Sequence, residues 1–183
     1  MNLALLCLSL SMAATIIVSN YLVQFPVNYL NLNQILTYGA FTYPITFLIT
    51  DFTNLIFGKT AAHKIVLVGV ITGLFLSLFI STNFEDIISI RISIASISAF
   101  CLAQLLDIEI FHKIRIGKYK WYVAPSVSSF FASILDTLLF FFIAFYATEM
   151  NWLSLAIGDF MIKFIMIFFL LLPFRFFYLK YLK

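Results

Sequence analysis

Charge is what this sequence has least of. Only 10% of its 183 residues are Asp, Glu, Lys or Arg, against about 25% in soluble domains. The chain is 63% hydrophobic, has a mean hydropathy of +1.08 and carries 23 Phe. A soluble fold of this length has no interior large enough to hide that surface, so a water-soluble globular class is excluded. Cysteine is almost as scarce. Cys7 and Cys101 both fall inside apolar runs, with no CxxC and no paired spacing, so they read as small apolar residues rather than a disulfide framework. Histidine is limited to His63 and His112. Each lies at the end of an apolar run beside a Lys, which fits an interface better than a metal site. HExxH, GxSxG, a Walker lysine loop and CxxCH are all absent. No enzyme class and no cofactor is therefore indicated. The basic residues are accounted for by membrane topology and anionic lipid, so nucleic-acid binding is not indicated either.

What is present is a series of apolar runs, each long enough to cross a bilayer. At about 20 residues per helix plus short loops, the length accommodates six spans in one domain, residues 1–183. The expectation is an all-α integral membrane protein, a bundle of six transmembrane helices with both termini cytoplasmic. The spans fall at Leu3–Val23, Leu36–Phe57, Ala62–Ile80, Ile88–Phe111, Tyr122–Ala147 and Trp152–Leu172. Met1–Phe25 lacks a basic leading region, and its apolar run continues past Ala13 and Ala14, so it reads as a retained first span rather than a signal peptide. Along that span Ser9, Ala13, Ile17, Asn20 and Gln24 form a stripe suited to close packing or, at Asn20, to ligand contact. Pro26 ends it, followed by an uncharged connector over 26–36. Gly58 and Lys59 end the second span. Gly69, Thr72 and Gly73 suit tight packing in the third. Ser81–Asp86 is an acidic turn, and His112–Lys120 a basic loop. Pro173 and a basic tail follow the sixth span.

Lys and Arg fix the orientation. With six spans, Lys59, Lys64, Lys113, Arg115, Lys118, Lys120, Arg175, Lys180 and Lys183 fall on one side. The loops of the other side carry only Glu85, Asp86 and Glu149. The positive-inside rule then places both termini in the cytoplasm. Trp121, Tyr122 and Trp152 sit where interfacial aromatics belong.

Against this apolar background the polar residues inside the spans stand out. A carboxylate in hydrocarbon persists only where it faces protein or a water-filled cavity. Asp51 and Asn54, three apart, share a helical face with Phe47 and Pro44. Ser93, Ser96, Phe100, Gln104 and Asp107 share another, with Arg91 nearly opposite. Glu109 lies near the boundary, where water can reach it. Pro125, Ser128, Ser129, Ala132, Ser133, Asp136 and Phe140 form a third stripe, which puts Asp136 near mid-membrane. Asp159 and Lys163 are four apart, in the order that lets them pair on one helix. Arg91, Asp159 and Lys163 are candidates for one ion cluster. Three carboxylates on three helices point to a shared pocket: aromatic faces for a ring, carboxylates and amides for its polar edge. The same carboxylates could instead carry protons in coupled transport. The ends of spans two and four also resemble each other, each an Asp followed by apolar residues, a Phe and basic residues (Asp51–Lys59 and Asp107–Lys113).

Three stretches carry a family resemblance: TYGAFTYPITFLITDFTNLIFGKTAAHK, RISIASISAFCLAQLLDIEIFHKIR and APSVSSFFASILDTLLFFFIAF. Within them TYP…TD…FGK, R…AS…AF…AQ..D and SS…S..DT..FF are the most specific parts. Together they resemble the VUT family of queuosine precursor transporters over nearly the whole chain. The resemblance implies a bacterial cell inner membrane importer. Its substrate would be 7-cyano-7-deazaguanine, with 7-aminomethyl-7-deazaguanine as a second candidate, salvaged for tRNA modification. The implied partners are this small-molecule deazaguanine and the lipid bilayer, with oligomeric state left open. One carboxylate can accept the ring N–H and amino group together, and Asp136 or Asp107 is placed for that edge. Asn54, Gln104 or Lys163 would donate to the carbonyl, and Asp51 with Asn54 would complete the cytoplasmic side. Ser129 joins the substrate-binding set, while Arg91, Asp159 and Lys163 would form an outer gate. Two other readings compete. One is the substrate-binding subunit of an energy-coupling-factor vitamin importer, docking its ATPase partners through Ser9, Ala13 and Ala14. The other is a scaffold or membrane enzyme that binds no heterocycle.

Overall fold

The computed structural model describes residues 3–22, 25, 27–28, 36–76, 87–117, 119–149 and 151–181. These form seven helices: α1 (Leu3–Leu22), α2 (Gly39–Thr42), α3 (Ile45–Phe57), α4 (Lys59–Leu76), α5 (Ile87–Ile116), α6 (Val123–Phe145) and α7 (Trp152–Tyr181). Three stretches, Ile90–Ile116, Val123–Phe145 and Trp152–Tyr181, are long and apolar enough to cross a membrane. Asn20's side chain, Gln24, Pro26, most of the 26–36 connector and the acidic turn at Ser81–Asp86 lie outside the described residues.

The second expected span is not one helix. It breaks at Tyr43 and Pro44, between α2 and α3. Proline has no N–H to donate, and beyond it the backbone tightens, with Thr46 N–H bonding to the Tyr43 carbonyl (3.0 Å) and Phe47 N–H to that of Pro44 (3.1 Å). α3 ends as expected at Gly58, whose φ of +82° favours a residue without Cβ. Its N–H closes onto the Asn54 carbonyl at 3.1 Å.

Two other boundaries move outward. α5 continues through His112, Lys113 and Arg115 to Ile116, so half of the expected basic loop is helix. α7 continues through Pro173 to Tyr181. On α1 the buried positions are Met12, Ile16 and Ser19, whereas Ile17 of the expected stripe is 48% exposed. The face that packs is thus turned from the one composition suggested: Met12 and Ile16 enter the apolar core and the Ser19 hydroxyl donates to Thr42 Oγ1 at 2.9 Å.

α5 and α6 make the most extensive contact, and α7 packs on α6. α1 lies on α4, which in turn covers α3 and α5. One apolar core joins Met12 and Ile16 of α1, Ile49 of α3, Ile65 and Val66 of α4, and Phe100 and Ile108 of α5. Gly69 permits that closeness, since a Cβ there would stand 2.9 Å from Ile16 Cδ1 and 3.0 Å from Phe100 Cζ. A second core gathers Phe52, Leu55, Phe111, Ala124 and Phe174. Ala103 and Ala132, both wholly buried, meet under Phe47. Small residues of this kind let helix backbones approach where water supplies no driving force. The outward face of α7, with Phe168, Phe169, Leu172 and Phe176, is exposed, as a lipid-facing surface would be.

Candidate functional site

The buried polar residues fall into two groups on either side of a cleft. The first is a seam between α3 and α5. Gln104 donates to Thr46 Oγ1 (2.9 Å) and accepts from Thr50 Oγ1 (2.6 Å). Asn54 Nδ2 donates to the Ile108 carbonyl at 3.1 Å, and Arg115 donates to the Asn54 carbonyl at 2.6 Å. These bonds tie α3 to α5. Within the seam the carboxyl of Asp51 faces that of Asp107, and the Ser128 hydroxyl of α6 lies beside both. Asp51 is 2% exposed and Asp107 wholly buried. Asp51 Oδ1, Asn54 Oδ1 and both carboxyl oxygens of Asp107 have no hydrogen-bond partner among the described residues. The two span ends that resemble each other in sequence thus meet at their aspartates.

The second group joins α6 and α7. Lys163 Nζ lies 2.7 Å from Asp136 Oδ2 and 2.5 Å from Asp159 Oδ2. It also donates to Thr137 Oγ1 at 3.1 Å, and Thr137 donates to Asp159 Oδ2 at 2.8 Å. The Tyr43 ring, at the break before α3, covers the ammonium at 5.6 Å. Asp159 and Lys163 pair along one helix as their spacing predicts, and Asp136 joins them from the neighbouring helix.

Between the groups runs a narrow cleft bounded by α3, α6 and α7, with room for little more than a water molecule. Pro44, Phe47 and Asp51 line it from α3, Pro125, Ser129 and Ser133 from α6, and Ile167 and Phe174 from α7. Asp136 and Lys163 are one helical turn beyond Ser133 and Ile167, so the lysine cluster closes one end. Asp51 and Ser129 are its polar groups near the middle, and Phe47 and Phe174 offer aromatic faces.

The candidate residues therefore separate. Asp51 and Ser129 line the cleft, with Asp107 behind Asp51. Asn54 and Gln104 are engaged in holding α5 to α3. Asp136 is tied to Lys163 rather than set beside Asp107. Arg91 does not join Asp159 and Lys163: its guanidinium bonds the carbonyls of Ile143 (3.1 Å) and Tyr146 (2.7 Å) at the end of α6. Cations are favourable at a helix C-terminus. Glu109 pairs with Lys59 at 2.5 Å near the surface.

Sequence reasoning missed Tyr43, Thr46, Thr50, Thr137 and Arg115. Thr46, Thr50 and Asn54 recur at four-residue steps on α3, a signal that was available. The adjacency of Tyr43 to Lys163 had none.

Comparison with known proteins bears on what this arrangement serves. The family model described as "Putative vitamin uptake transporter" matches residues 37–178. The "Queuosine precursor transporter" of Escherichia coli (strain K12) is 36% identical over 178 residues, covering 87% of this chain and 79% of that protein. The "Probable queuosine precursor transporter" of Haemophilus influenzae is 37% identical over 145 residues, covering 69% of this chain and 61% of that protein. No solved structure matches the chain. A match across the α2–α7 region that builds both polar groups and the cleft means that this chain belongs to the vitamin uptake transporter family, the family of the queuosine precursor transporters.

Proposed function

We propose that the protein imports a queuosine precursor base, 7-cyano-7-deazaguanine or its aminomethyl counterpart, across the bacterial inner membrane for tRNA queuosine salvage. The observation that carries this reading is the 36% identity to a queuosine precursor transporter over 87% of the chain. The lining of the cleft suits such a ligand once the helices part to admit it. Phe47 and Phe174 flank the ring, the Asp51 carboxylate accepts its adjacent N–H and amino group, and the Ser129 hydroxyl serves the carbonyl. Asp107 supports Asp51 from behind, and the Asp136–Lys163–Asp159 cluster with Tyr43 gates the outer end. Asn54 and Gln104 hold the α3–α5 frame, and Arg91 fastens α5 to α6 outside the cleft.

The chain acts as one transmembrane domain of six spans, residues 1–183, with α2 and α3 forming a single broken span and both termini cytoplasmic. Lys59 beside Glu109, Arg115 on the end of α3, and Arg175 over the Trp121 ring at 5.7 Å gather the basic residues at one end of the bundle. That agrees with a cytoplasmic face rich in Lys and Arg.

The test is uptake of labelled 7-cyano-7-deazaguanine by a strain that cannot make queuosine precursors, supplied with scarce external base. Wild-type protein should restore queuosine in tRNA. Asp51→Asn, expressed at the same level, should lose at least tenfold in uptake, about 1.4 kcal/mol or more in a transition-state sense. Queuosine formation that does not depend on the protein would overturn the assignment. Transport by the purified chain alone in liposomes separates it from an ATPase-dependent binding subunit.

A further inference from the structure

We propose that Asp51 and Asp107 together hold one transferable proton, and that the protein couples entry of its substrate to entry of that proton. The inference rests on the transport reading above. Two carboxyls meet inside the bundle, one 2% exposed and the other wholly buried. Full negative charge on both, face to face in a medium of low dielectric, is prohibitively unfavourable, and the usual resolution is one proton shared by the pair.

A neighbouring cation would be the other resolution, and among the described residues no Lys or Arg stands at ion-pair distance from either carboxyl. Lys59, where α4 begins, is held by Glu109 of α5. Arg115 of α5 is on the Asn54 carbonyl. Lys163 of α7 lies between Asp136 and Asp159, and Arg91 is on the carbonyls that end α6. Arg175 of α7 stacks on Trp121. His63 of α4 neighbours Glu109, and His112 is a turn beyond Asp107, with Nδ1 unpartnered among the described residues. The described part of α1 carries no charged side chain. α6 contributes only the Ser128 hydroxyl to the pair.

An independent sign that the seam is built to accept a positive charge is Asn54 Oδ1. It is buried one turn from Asp51 and has no donor among the described residues. The pair is also placed to exchange its proton with the ligand site, because Asp51 lines the cleft and Asp107 does not.

The cycle balances with one proton per base. From the outside the empty pair takes up one proton. When the base binds, the Asp51 carboxylate accepts its two N–H groups and the proton settles on Asp107. After the cleft opens inward, water reaches Asp51, the base leaves and the proton follows it into the cytoplasm; water in the emptied cleft then solvates the doubly charged pair until it is reprotonated from outside. No bond to the base is made or broken.

The experiment uses the full chain in liposomes containing a pH dye, with labelled 7-cyano-7-deazaguanine as probe. A pH gradient, acid outside and without sodium, should drive accumulation, and the dye should report internal acidification that begins on adding base. Asp107→Asn, which imitates a permanently protonated group, should lose gradient-driven accumulation at least tenfold more than it loses exchange of external for internal base. Base uptake by wild type without acidification would overturn the proposal, a measurement that needs no variant to fold. Accumulation driven by a sodium gradient at equal pH would overturn it too, since the pair would then hold a metal cation. Gradient-driven accumulation that survives Asp107→Asn would do the same. Absence of any exchange in wild type would overturn the transport reading along with it, whereas exchange without proton coupling overturns this inference alone.

Discussion

The two buried acidic groups sit in similar surroundings, yet their charge is handled in opposite ways. Between α6 and α7, Asp136 and Asp159 share one ammonium, and the Thr137 hydroxyl donates to Asp159. No fully buried side-chain N or O of that cluster lacks a hydrogen-bond partner. Between α3 and α5, Asp51 and Asp107 face each other with no cation in contact, and three of their oxygens lack a donor among the described residues. The first arrangement is a closed ion cluster. The second leaves acceptor capacity unused at the wall of a cleft. Unsatisfied buried acceptors are expensive, so they mark the place where a ligand or a proton is expected to complete the site.

That contrast can be broken at its stronger side first. Lys163→Met leaves the buried Asp136 and the half-buried Asp159 without their cation and should cost about 3–5 kcal/mol, the penalty for breaking a buried pair on one side only. Thermal unfolding in detergent measures it. Adding Asp136→Asn and Asp159→Asn to the same variant should recover much of the loss; if it does not, charge balance is not what the cluster provides. Gln104→Leu comes next, at about 1 kcal/mol. Thr46 and Thr50 keep bonds to the carbonyls of Tyr43 (2.8 Å) and Thr46 (3.0 Å) when the amide is removed. Asp107→Asn should leave the unfolding temperature unchanged or raise it, because it removes a titratable group from the seam and orphans no partner. A large destabilisation there would mean that the seam contains a cation after all. Glu109→Gln is the smallest, within about 0.5 kcal/mol, since its bond to Lys59 is partly exposed and screened by water.

Several parts of the site were legible in sequence because helical periodicity is a local property. The α6 stripe is one: Pro125, Ser128, Ser129, Ala132, Ser133 and Asp136 are all buried. The Asp159–Lys163 pair is another, as both partners lie on one helix. The break at Pro44 was missed since the apolar run continues through it, and hydropathy does not register a lost N–H. Arg91 was assigned to the wrong neighbours, because its partners are backbone carbonyls 52 and 55 positions away, which no side-chain pattern announces.

The sequence by itself determined the solvent this protein lives in, the helical class and the short list of polar residues that needed an explanation. Composition and a 3.6-residue period suffice for that, because lipid penalises every unpaired polar group in the same direction. Which of those residues meet was decided only by the tertiary structure. Asp136 finds Lys163 and Asp51 finds Asp107 through the packing of α6 on α7 and α3 on α5. Helix packing is chosen by shape over whole faces, and a single polar side chain goes where that packing carries it.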